Sequence, residues 1–161
     1  MLKNSVPPAI LKTLYYSFVF PYVTYCCSTW GSTFPTHLKP LIVMQKKVIR
    51  IINCASYLSH TNNLFLQGNI LKLADLYRHS VGIFMFKNSN LGIFYLNHDY
   101  NTRNRDQPNS TYQRLTLTQH SIYFKGPTIW SSIPENIQQS SSLALFKKQY
   151  KNHLIQLYID Q

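Results

Sequence analysis

Residues 36–53, reading THLKPLIVMQKKVIRIIN, constrain the fold more than any other stretch of the chain. Leu38, Leu41, Ile42, Val48, Ile49 and Ile52 recur at steps of three and four, which draws one apolar stripe along a helix of 3.6 residues per turn. Lys39, Lys46, Lys47 and Arg50 gather on the other side, and no Asp or Glu precedes Asp75 anywhere in the chain. An amphipathic helix of this kind needs neighbours for its apolar face and an anion for its cationic one.

The charge balance extends the same point to the whole molecule. Sixteen Lys and Arg stand against five Asp and Glu, a formal net charge of +11, although only 13% of the 161 residues are charged. The excess therefore reflects missing acids, and nucleic acid is the first partner to consider. Hydrophobic residues at 45% and aromatics at 14% provide a core for one domain or two small subdomains. Asp75, Asp99, Asp106, Glu135 and Asp160 have no acidic neighbour in sequence. This argues against the paired carboxylates of two-metal phosphoryl transfer. No catalytic residue, metal site or cofactor is expected. Cys26, Cys27 and Cys54 have no framework spacing and read as free thiols of a reducing, intracellular compartment. Cys54 and His60 lack a second close pair to complete a zinc site.

The chain reads as mainly α. Pro7 and Pro8 open a segment in which Leu11, Leu14, Tyr15, Phe18, Tyr22 and Tyr25 keep helical spacing, with a kink or break at Pro21. Residues 9–30 approach the length of a membrane span, but Lys12, hydroxyl residues and central tyrosines argue against one, and no signal peptide is read there. Asn62 or Asn63 is read as the cap of a short helical turn, and Gly68 with Asn69 as a turn. A helix is expected over residues 73–87, with Leu73, Leu76, Tyr77, Ser80 and Phe84 on one face; Asp75 and Lys87 complement its dipole. Residues 89–111 have loop composition and contain Arg103 and Arg105, whose forks suit phosphates. Two β-like runs, 112–117 and 121–124, suggest a short hairpin. Pro127 is expected at the first position of a short helix, with Trp130 and Ile133 packing inward. Serines 140–142 cap a last helix with a stripe of Leu143, Phe146, Tyr150, Leu154 and Leu157, and with Lys147, Lys148 and Lys151 beside it. The expected organisation is a helical bundle over 1–88, a linker over 89–111 and a small irregular α+β part over 112–161.

The order of these segments resembles a known family. Residues 14–26 (LYYSFVFPYVTYC), Trp30-Gly31, residues 44–52 (MQKKVIRII), residues 71–77 (LKLADLY), Thr102-Arg103, residues 126–134 (GPTIWSSIP), Phe146-Lys147-Lys148 and the terminal apolar helix occur in one collinear series. That series is similar to the region downstream of the polymerase palm in reverse transcriptases of LINE-type retrotransposons, those without long terminal repeats, with the jockey and CR1-like branches closest. The family commonly has Trp-Asn-Ser-Leu-Pro where this chain has Trp130-Ser131-Ser132-Ile133-Pro134, and Leu-Gln-Lys-Arg where it has Met44-Gln45-Lys46-Lys47. The palm's aromatic-x-Asp-Asp motif has no counterpart, since the sequence contains no Asp-Asp pair.

The resemblance implies a thumb-like helical region, without catalytic residues, that grips an RNA or RNA–DNA template–primer beside the remaining parts of a reverse transcriptase. Lys39, Lys46, Lys47, Arg50, Arg103, Arg105, Lys125, Lys147, Lys148 and Lys151 are the candidate phosphate contacts. If the four cations of residues 36–53 each neutralise one phosphate, the log–log salt slope of binding is about −3.6 for a B-form duplex. Tyr100, Tyr112 or Tyr123 offer rings for unpaired bases. Two alternatives differ in class: a protein-interaction module that folds against a parent polymerase, and a membrane protein anchored through residues 9–30. A Ser/His hydrolase is unsupported because no Gly-x-Ser-x-Gly elbow occurs.

Overall fold

The structure, a computed structural model, describes residues 6–88 and 114–159 and is mainly helical. Pro8 opens α1 (Pro8–Leu14), where a missing N–H costs nothing. The helix does not break at Pro21. It widens into a π-helical turn over Tyr15–Val19, in which the Phe20 N–H reaches back to the Tyr15 carbonyl, and continues as α2 (Phe20–Thr24). An inserted residue of this kind lets a helix pass a proline without ending. Cys26 in the left-handed conformation then turns the chain into the short α3 (Cys27–Trp30).

The basic helix, α4, spans Pro35–Ile52. It is followed by α5 (Asn62–Gly68), whose cap position is Thr61 and not Asn62 or Asn63, and which closes on Asn69 at φ 53°. Asparagine tolerates that left-handed position better than most residues. The central element is α6 (Leu73–Asn88), against which α2, α3, α4, α8 (Ile122–Ser131) and α10 (Leu143–Gln156) all pack. Contact on several sides explains why its buried residues, Leu73, Asp75, Leu76, Val81, Gly82 and Met85, do not follow the single face expected from the sequence; Tyr77, Ser80 and Phe84 are half-buried.

Where the expected hairpin is described, the chain is helical: Thr116–Gln119 forms α7, and Ile122–Ser131 forms α8 with Pro127 inside it and not at its start. Residues 112 and 113 lie outside the described residues. Packing overrides the β-like composition of this stretch. Gly126 is buried so close to α6 that a Cβ there would stand 2.8 Å from the Met85 sulfur. The Gln138 side chain of α9 (Glu135–Gln138) donates at 2.8 Å to the carbonyls of both Trp130 and Ile133, closing the end of α8. Trp130 and Ile133 are buried, as their spacing predicts.

The last helix, α10 (Leu143–Gln156), begins at Ser142, whose hydroxyl accepts from the Leu145 N–H. Phe146, Tyr150 and Leu154 are buried on the expected stripe, which then passes to Ile155 and Tyr158 while Leu157 faces outward. Gly82 lets α10 approach α6: a Cβ at that position would lie 2.6 Å from the Tyr150 ring. Tyr15, Ile49, Phe65, Val81, Phe146 and Tyr150 belong to one hydrophobic core, so the described parts of residues 1–88 and 112–161 are packed together.

Candidate nucleic-acid interface

The inward line of α4 is Leu38, Ile42, Gln45, Ile49 and Ile52, with Gln45, Ile49 and Ile52 fully buried. Leu41, expected in the apolar stripe, faces outward with Met44 and Ile51, and Met44 is 61% exposed. The helix therefore has three faces: a buried one, a cationic one with Lys39, Lys46 and Lys47 exposed, and an apolar one open at the surface. Arg50 differs from the three lysines. It is half-buried, its Nε donates to the Ser59 carbonyl at 3.0 Å, and its guanidinium lies 6.0 Å from the Tyr57 ring centre. Arg50 fastens the chain leaving α4.

A polar bridge fixes where α4 sits. The buried Gln45 amide donates from Nε2 to the Leu71 carbonyl and accepts at Oε1 from the Leu73 N–H, both at 2.9 Å. A glutamine thus completes the hydrogen bonds of a backbone segment that no helix or sheet satisfies. The same segment is tied to the C-terminal end of the chain. The Lys72 N–H donates to the Tyr158 hydroxyl at 3.0 Å, and that hydroxyl donates to Asp75 Oδ2 at 2.6 Å. Burial first, and then the Asp75 carboxylate, hold the Tyr158 pKa well above that of a free phenol, so the hydroxyl keeps its proton. Asp75 is also paired with Arg78 at 3.4 Å, the one ion pair among the described residues. Its role exceeds dipole complementation, because the carboxylate is buried.

A second set of cations lies on α10. Lys147 and Lys148 are exposed on α10, whereas Lys151 is half-buried. Burial, followed by the charge of Lys12 on α1, lowers the Lys151 pKa. The His79 imidazole on α6 meets the Lys147 carbonyl at 3.1 Å; its pKa is pushed down mainly by burial. Lys12 thus joins the α10 lysines, a neighbour that the sequence reading did not assign. Lys125 is half-buried with its ammonium 6.0 Å from the Phe124 ring centre. Tyr123 is 61% exposed, while Arg103, Arg105, Tyr100 and Tyr112 lie outside the described residues.

A cavity of about 500 Å³ lies between Trp30, Phe34, Leu117 and His120 and has no Lys or Arg in its wall. A smaller one, about 230 Å³, lies between α4, α5 and the start of α6 and has Lys46 and Lys72 in its wall. Among the described residues no group of three or more His, Cys, Asp or Glu is placed to hold a metal ion. Cys27 is buried, and burial raises its pKa to about 11, which keeps it a thiol and a poor nucleophile near neutral pH. No described helix is long and apolar enough to cross a membrane. Comparison with protein-family models, curated proteins and solved structures finds no match.

Proposed function

We propose that the chain is a non-catalytic nucleic-acid-binding part of a retrotransposon reverse transcriptase, in which α4 grips the phosphates of a template–primer duplex. The observation that supports the reading most is the cationic face of α4: Lys39, Lys46 and Lys47 are exposed on a helix that carries no acid, in a chain of net charge +11. A rigid helix presenting ammonium groups gives affinity for a backbone without reading bases. With Arg50 engaged by Ser59, three lysines of α4 remain, and their share of the log–log salt slope is expected to be about −2.7 for a B-form duplex. Fluorescence anisotropy with a primed RNA template measures it. The Lys39→Glu/Lys46→Glu/Lys47→Glu variant is expected to lose most of the affinity and nearly all of that slope. An unchanged affinity and slope removes α4 from the interface.

A second reading, docking onto another part of a larger protein, draws on the outer face of the N-terminal helices. Phe18, Tyr22 and Tyr25 are 66%, 82% and 77% exposed, in line with the exposed Ile10 and Leu14. Contiguous apolar surface of this kind marks an interaction site. The isolated chain is then expected to self-associate in light scattering, and Phe18→Ser/Tyr22→Ser to restore a monomer without altering RNA affinity. A wild-type chain that is already a monodisperse monomer counts against docking.

A further inference from the structure

We infer that the cavity between α4, α5 and the start of α6 is a phosphate pocket of the nucleic-acid interface, with Lys46, Lys72 and Asn62 as its ligands. The inference deepens the reading of α4 as the phosphate-gripping helix and rests on it. Lys46 comes from α4, Asn62 is the first residue of α5, and Lys72 directly precedes α6, so three elements converge on one cavity. Ile42, Phe65 and Leu73 provide apolar wall beside them. No carboxylate lines the pocket. Asp75, two residues beyond its Leu73 wall, has Oδ2 taken by the Tyr158 hydroxyl and Oδ1 by Arg78.

The backbone positions of the two lysines are fixed before any ligand arrives. Gln45 is joined to Lys46 through the chain, and its amide binds Leu71 and Leu73, the residues on either side of Lys72. The Lys72 side chain is steadied further, with Nζ 4.0 Å from the centre of the Tyr158 ring. Preorganisation lowers the entropy cost of binding. Two cationic residues and no carboxylate line this cavity, a wall that favours an anion over a cation. The volume, about 230 Å³, falls below the ~300–1,000 Å³ of pockets for drug-sized ligands. It suits a single phosphate with its sugar against the apolar wall. The larger cavity beside Trp30 lacks the cations for this chemistry.

The test uses the full chain and two probes, inorganic phosphate at constant ionic strength followed by amide chemical shifts, and a short RNA duplex followed by anisotropy. The expected result is a saturable phosphate-dependent shift of the Asn62, Lys72, Leu73 and Ala74 amides that chloride does not produce. Lys72→Met keeps the aliphatic stem on Tyr158, and Asn62→Asp places a negative charge in the wall; each is expected to abolish the shifts. Lys72→Met is also expected to weaken duplex binding about five- to tenfold and to reduce the salt slope by about 0.9. Lys47→Met, outside the pocket, is expected to weaken the duplex while leaving the phosphate shifts intact. Thermal melts confirm that each variant folds. Absence of phosphate shifts in the wild type overturns the pocket. Salt-dependent duplex binding that Lys72→Met leaves unchanged overturns its place in the interface, while the α4 reading stands. Phosphate shifts without any duplex affinity overturn the nucleic-acid source and the α4 reading together, leaving a site for a free phosphate compound.

Discussion

Phe146→Ala is expected to destabilise the fold by about 3–5 kcal/mol, the range for removing a large buried aromatic side chain. Phe146 has no exposed surface, and its ring lies 4.5 Å from Phe86, 5.6 Å from Tyr150 and 5.9 Å from Trp130, centre to centre. These neighbours come from α6, α8 and α10 itself. The cavity left by truncation therefore sits where three helices meet, and none can move into it without disturbing the others. Close approach of α10 to α6 at Gly82 limits relaxation further, since the Tyr150 ring already fills the space where a Cβ would stand. For a chain of this size the loss corresponds to a fall in melting temperature of about 10 °C. Leu117→Ala, at a site 84% exposed, is expected to change stability by less than about 0.5 kcal/mol. A Phe146→Ala melt within 3 °C of wild type, with cooperative unfolding retained, would place the core elsewhere.

Gln45→Leu carries the second large effect, about 2–6 kcal/mol, by a different route. Leucine fits the buried position by size, yet it leaves the Leu71 carbonyl and the Leu73 N–H without the partners that Gln45 provides at 2.9 Å each. Each stranded buried group costs about 1–3 kcal/mol. Gln45→Glu isolates one half of the bridge: a carboxylate still accepts from Leu73 but cannot donate to Leu71, and it buries a charge. Hydrogen exchange reads the site directly. Protection of the Leu73 amide should be lost selectively in Gln45→Leu and largely retained in Gln45→Glu. Wild-type stability in Gln45→Leu would show that packing alone holds α4. The bridge also sets the spacing of the Lys46 and Lys72 backbones, on which the proposed phosphate pocket depends.

Helix α4 separates what local pattern reveals from what it does not. Its existence, its cationic lysines and its inward line of half-buried Leu38 and Ile42 with buried Ile49 and Ile52 follow from spacing, because a helix places residues three and four apart on one side whatever surrounds it. Gln45 has the same spacing, but a polar residue reads as outward-facing until the backbone segment that needs its amide is known. Leu41 reads as inward-facing until the neighbouring helices leave its side uncovered. Arg50 shares the charge of the lysines and not their situation, since Ser59 and Tyr57 engage it.

The same division holds at the C-terminal end. The Ser142 cap and the Phe146, Tyr150 and Leu154 stripe lie within three or four residues of the features that define them, and they are legible in order. Residues 121–124 carry β-branched and aromatic side chains that favour a strand in isolation, yet Ile122–Ser131 is a helix packed on α6, with Gly126 close against Met85. The sequence by itself determined the helical class, the position of the basic helix and the excess of positive charge, all of which depend on composition and near neighbours. The tertiary structure alone decided that Gln45 is a buried bridge, that Arg50 is engaged, and that Lys72 stands with Lys46 in one cavity. The contacts that settle these points join residues far apart in the chain, Gln45 to Leu71 and Lys72 to Tyr158, and no local pattern records them.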